Sequence, residues 1–95
     1  MKAVEVMVNG QRLCLAGSGP GEFTFANLTL DERGGSAASL MVAGSRAKMV
    51  PSWIDDYRIN QGDEILLRIV DVEDTDPPVS SSPAWTEFPR IKLDE

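Results

Sequence analysis

Apolar and polar residues alternate from the start of the chain. Val4, Val6 and Val8 take one side of a period-2 pattern and Ala3, Glu5 and Met7 the other, which predicts a strand. Asn9-Gly10 follows, and both residues tolerate the positive φ of a two-residue type I′ turn. Leu13 and Leu15 then alternate with Arg12, Cys14 and Ala16. Such a turn sets Val8 opposite Gln11, Val6 opposite Leu13 and Val4 opposite Leu15. This register gathers the apolar residues of both arms on one face and leaves Glu5 and Cys14 on the other.

Gly17-Ser18-Gly19-Pro20-Gly21 reads as a loop. Residues 22–30 are strand-like, but the apolar phase changes between Phe23/Phe25 and Leu28/Leu30, which predicts a bulge near Ala26-Asn27 or two short strands. A polar turn occupies residues 31–35. Leu40 and Val42 alternate in another strand, and Gly44-Ser45 offers a turn back into residues 46–50, which Pro51 ends. Ser52 and Asp55 then stand at capping-box spacing, with Trp53 and Tyr57 four residues apart, and this predicts a short helical turn over residues 52–58.

Residues 60–63 turn into the longest strand, residues 64–72. Ile65, Leu67 and Ile69 line one face of it; Leu66, Val70 and Val72 line the other, interrupted by Arg68. Apolar residues on both faces predict a central strand. The expected fold is mostly β: a small single-domain sandwich or open barrel of six to seven strands over residues 1–78, with one short helical turn near 52–58. Residues 79–95 read as a Ser- and Pro-rich linker and an apolar tail that regains Trp85, Phe88, Ile91 and Leu93. The tail either returns to the sheet, with residues 90–93 as an edge strand, or docks on another protein or another copy.

Composition narrows the class without naming a function. The 95 residues suffice for one core, and 42% apolar with 25% charged residues is ordinary globular composition. The single cysteine, Cys14, cannot form an internal disulfide. A carboxylate at position 5 interrupts any signal-peptide core, and no apolar run reaches the ~18–20 residues of a membrane span, so a cytoplasmic protein without a membrane partner is expected.

No histidine is present, which removes Ser-His-Asp and Cys-His nucleophile activation and histidine-rich zinc sites. Gly17, Gly19 and Gly21 resemble the start of a phosphate cradle, but Pro20 interrupts them and a strand follows where a helix is needed. The acidic run at Asp71, Glu73, Asp74 and Asp76 lacks the central glycine and terminal glutamate of a calcium-binding loop. The residues therefore predict no catalytic group, no metal and no cofactor, and the chain reads as a non-enzyme.

Charge is the most uneven property. Residues 55–76 hold eight carboxylates against Arg58 and Arg68, a net of −6, which equals the net charge of the whole chain. Such a balance disfavours nucleic acid, whose affinity comes from basic residues, and favours a protein partner with a basic surface. Asp55, Asp56, Asp71, Glu73, Asp74 and Asp76 are the candidate contact residues, with Trp85 and Phe88 as apolar anchors. The function expected on these grounds is a protein-binding module, an immunity protein or inhibitor covering a basic site on a toxin or enzyme. The alternatives are an assembly domain that oligomerises by edge-strand pairing, and a small-ligand binder or enzyme built on carboxylates.

Several short motifs stand together: Val8-Asn9-Gly10, Leu13-Cys14-Leu15-Ala16-Gly17, Trp53, Gly62-Asp63-Glu64-Ile65, Arg68-Ile69-Val70 and Asp76-Pro77-Pro78. In these the chain resembles a set of small uncharacterised bacterial proteins, over most of residues 4–78. The resemblance implies no activity, cofactor or site residue.

Overall fold

A computed structural model describes residues 1–33 and 37–83. Among these described residues seven strands follow one another: β1 Lys2–Val8, β2 Gln11–Ala16, β3 Thr24–Asp31, β4 Ala37–Gly44, β5 Met49–Ile59, β6 Ile65–Asp71 and β7 Ser80–Pro83. They form two antiparallel sheets, β2-β1-β6 and β3-β4-β5-β7, and no closed barrel. Val4, Val6, Val8, Cys14 and Ala16 of the first sheet meet Leu40, Val42 and Trp53 of the second in one buried core. That is the sandwich of the two expected architectures. β7 falls inside the Ser- and Pro-rich segment, paired with β5.

β1 and β2 form the expected hairpin, with Asn9 at φ 53° and Gly10 at φ 81° in its turn. Its register departs from the expected one. Val8 faces Gln11 and Met7 faces Arg12, but Val6 then faces Cys14 and Val4 faces Ala16, so Leu13 is an inserted bulge residue. One extra residue reverses every side chain beyond it. Cys14 and Ala16 turn inward and Leu15 joins Glu5 on the outer face. The exchange puts small side chains where β2 approaches β5, leaving room for the buried Trp53 indole.

No helical turn forms at residues 52–58. They belong to the eleven-residue strand β5, and Pro51 lies buried inside that strand rather than ending it. Leu40 faces Tyr57, Val42 faces Ile54 and Ala43 faces Ser52, so β5 carries two inserted residues against β4. An inserted residue brings side chains three apart onto one face of a strand, so Ser52 and Asp55 meet without a helix. The Ser52 hydroxyl donates to the Asp55 carboxylate at 2.6 Å within the bulged stretch instead of capping a helix.

β3 shows no bulge at Ala26-Asn27; its register against β4 runs unbroken from Thr24–Gly44 to Asp31–Ala37. The apolar phase changes because the strand has two apolar faces. Phe25 stacks with Phe23 on the outer side, ring centroids 6.4 Å apart, while Leu28 lies opposite the buried Leu40 on the inner side. The β4–β5 turn is at Ala47-Lys48, not Gly44-Ser45, with Arg46 and Met49 exchanging backbone hydrogen bonds of 2.9 Å. β6, expected at the centre of a sheet, is an edge strand; β1 takes the centre. Two-sided apolar character recorded an edge left uncovered.

Candidate functional site

The acidic segment after β6 is a strap that crosses from one sheet to the other. It leaves β6 where the Val72 amide donates to the Met1 carbonyl at 2.9 Å. Thr75 donates its hydroxyl to the Gly17 carbonyl at 3.2 Å. At Asp76 the strap holds both sheets. Its amide and carboxylate bond Leu15 of β2 at 2.9 and 2.8 Å, and its carbonyl accepts the Trp53 indole N–H of β5 at 2.7 Å. Val79 then donates to the Ser52 carbonyl at 2.8 Å, and β7 begins.

Folding thus divides the six candidate acids. Asp76 is engaged by Leu15. Asp55 accepts the Ser52 hydroxyl and, at 3.3 Å, the Ser80 hydroxyl, which fastens β7 to β5. Asp71 meets the N-terminal ammonium at 3.2 Å and the Lys2 ammonium at 3.7 Å, and these groups hold its carboxyl below the usual range, the hydrogen bond from the terminus contributing most. Asp56, Glu73 and Asp74 are exposed, and no ion pair or hydrogen bond from among the described residues reaches them. Trp85 and Phe88, the candidate anchors, lie outside the described residues, as does the candidate edge strand at 90–93.

The opposite flank of the sandwich is open. β6 ends the first sheet and β3 ends the second, and Ile69 and Thr24 from these two strands line one cleft of about 410 Å³ together with Val4 and the loop at residues 18–22. Val4, Val6 and Val8 stand opposite Ile69, Leu67 and Ile65, so these β6 side chains lie on the core-facing side of their sheet. Leu28 lies on the core-facing side of β3, and Leu30, two residues on, shares that side. Yet Leu67 is 46% exposed, Leu28 50%, and Ile69 and Leu30 71% each. Neither edge strand covers the other.

Among the described residues the backbone at this flank is also unpaired. The Asn9 amide donates to the Glu64 carbonyl in the β1–β6 register, so the even-numbered residues of β6 turn their amides and carbonyls toward β1. Ile65, Leu67, Ile69 and Asp71 therefore turn theirs to the free side. Ser45 donates to Phe23 in the β3–β4 register, and the same parity leaves Thr24, Ala26, Leu28 and Leu30 facing outward. Backbone valence and apolar side chain are exposed at the same residues. Leu28, Leu30, Leu67 and Ile69 were not legible as a site in the sequence, because two-sided apolar spacing cannot tell a central strand from an uncovered edge.

Chemistry elsewhere is sparse. Burial pushes the Cys14 thiol up to about 11, with the Asp76 charge adding to the effect, so the sulfur is a protonated core atom at neutral pH. Among the described residues no group of three or more His, Cys, Asp or Glu side chains is placed to hold a metal ion. No helix among them is long and apolar enough to cross a membrane. What fold and site define is an antiparallel β-sandwich with one strapped flank and one open flank. No protein-family model, curated protein or solved structure matches the chain significantly.

Proposed function

We propose that this chain is a non-catalytic protein-binding module whose contact surface is the open flank formed by β6 and β3. The observation that carries the reading is the coincidence, at Leu28, Leu30, Leu67 and Ile69, of exposed apolar side chains with outward-facing backbone groups. Covering a large aliphatic side chain is worth about 1.5–3 kcal/mol, and an unpaired strand edge is a template for a further strand. A protein segment satisfies both demands at once; a small polar ligand satisfies neither.

A photo-crosslinking residue at position 69 or 30 tests this in the native host. Discrete protein adducts are expected from both positions, lost on Leu67→Lys, and none from the outer-face position Thr29. Equal labelling from all three sites, or none from 69 and 30, overturns the reading.

A second reading rests on Asp56, Glu73 and Asp74, those of the six candidate acids with no internal partner among the described residues. They suit a basic protein surface, as in an inhibitor or immunity protein. Reversing all three charges then slows association with such a partner several-fold at low salt and leaves the fold intact. An unchanged rate sinks this reading.

A further inference from the structure

We propose that the occupant of the open flank is a second copy of this chain, whose β6 adds antiparallel to β6 about a two-fold axis through Leu67. The proposal rests on the reading above, that the flank receives a protein segment, and names that segment.

β6 is self-complementary about Leu67. Its outward-facing backbone groups belong to odd-numbered residues, and an antiparallel partner must match odd with odd to exchange hydrogen bonds. With Leu67 opposite Leu67, Ile65 of each copy faces Ile69 of the other. Every core-side pair over that span is then aliphatic, and the most exposed large apolar residue of the strand, Ile69, gains cover. On the outer face Arg68 lies opposite Leu66 of the second copy. Its two diagonal neighbours are Glu64 and Arg68 of that copy, and its long side chain can lean to the Glu64 side.

Among the described residues Arg68 holds one long ion-pair contact, 3.6 Å to Glu5, and its side chain remains 58% exposed, so its charge is available across the axis. Moving the register two residues toward the C-terminus, to Arg68 opposite Arg68 with Leu67 opposite Ile69, sets like charges face to face. The Leu67-centred register moves the two guanidinium groups from direct opposition to a diagonal and adds two symmetric Glu64–Arg68 contacts.

β6 also carries little of the usual protection of a strand edge, its charges being Arg68 and the terminal Asp71. It contains no proline and no lysine, and its register with β1 has no bulge. A two-fold contact uses one surface twice and closes on itself, so the second copy ends growth rather than propagating a fibre along β6.

Sedimentation equilibrium and light scattering of the purified full chain, from micromolar to millimolar concentration, decide the matter. The expected mass is twice that of the chain, and Leu67→Lys, which sets two ammonium groups at the axis, is expected to raise the dimer dissociation constant by at least about tenfold. Glu64→Arg and Arg68→Glu are each expected to weaken self-association. An equimolar mixture of those two variants is expected to restore it as a heterodimer, because both diagonal contacts across the axis then pair a guanidinium with a carboxylate.

Restoration on mixing excludes misfolding as the cause of the single-variant losses. A monomer at every concentration, or a dimer indifferent both to Leu67→Lys and to mixing, overturns the proposal. Adducts from position 69 to a different protein in that case leave the protein-binding reading standing, whereas no adducts at all removes both.

Discussion

Asp76 and Leu15 are bonded to each other twice: the Asp76 amide donates to the Leu15 carbonyl, and the Asp76 carboxylate accepts the Leu15 amide. The pair imitates one rung of a β-ladder with a side chain in place of half the backbone. Because the Asp76 carbonyl also takes the Trp53 indole N–H, this residue ties the edge of the first sheet to the middle of β5. An acid that looked like surface charge is a structural clamp between the layers.

Removing the clamp leaves the Leu15 amide without a partner in a half-buried setting. Asp76→Ala is expected to cost about 1–3 kcal/mol, and Asp76→Asn, which keeps an acceptor oxygen, appreciably less. Urea unfolding followed by far-ultraviolet circular dichroism measures both. Equal stability for the alanine variant and the native chain contradicts the role given to this carboxylate.

The Ala47-Lys48 turn is strained. Both residues have positive φ, 50° and 67°, which side chains with a Cβ tolerate poorly. Ala47→Asn with Lys48→Gly reproduces the chemistry of the Asn9-Gly10 turn and is expected to stabilise the fold by roughly 1 kcal/mol. A melting temperature that fails to rise refutes the assignment of this turn.

Gly44 has no room for a methyl group. A Cβ there meets the Ser18 hydroxyl and the Phe23 backbone carbonyl, the second of which cannot swing aside. Gly44→Ala is expected to destabilise the chain by about 1–3 kcal/mol through overpacking. Gly19→Ala serves as the contrast: its Cβ meets nothing, so any cost there comes from its φ of 106° alone.

Stability is expected to fall on both sides of neutral pH, for opposite reasons. Asp63, hydrogen-bonded by the Asn9 side chain and the Asn60 amide, and Asp71, beside the N-terminus, have lowered pKa values in the fold. Their contribution is complete above the ordinary carboxylate pKa of about 4 and is lost as pH falls through the folded values. Cys14 is raised from 9.0 to about 11, so its contribution is complete below 9.0 and is lost as pH rises through about 11. Asp63→Asn should flatten the acid limb and Cys14→Ala the alkaline limb of a plot of urea midpoint against pH. Unaltered limbs in these variants mean that other groups govern them.

The relation of sequence to structure is clearest where bulges intervene. Asn9-Gly10 and the alternating valines before it specify a hairpin by themselves, since turn geometry and side-chain period are local properties. The inserted Leu13 is not local. The insertion puts Cys14 and Ala16 in the core with Leu13 packed against it, and that core includes Trp53, which arrives from β5, some forty residues along the chain. The helical spacing of Ser52, Asp55, Trp53 and Tyr57 was likewise resolved by β4 and β7, whose pairing with β5 draws these residues into an extended, doubly bulged strand.

Residue by residue, the amino-acid order alone determined that this is a β protein of six or seven strands, without histidine chemistry and with its negative charge gathered in one stretch. Only tertiary structure decided that Asp55, Asp71 and Asp76 are engaged within the molecule and that no other described strand covers β6 and β3. Period and composition report which side of a strand is apolar, because that follows from neighbours two residues away. They do not report which strand comes to lie beside it, because strand order is set by contacts between residues distant along the chain.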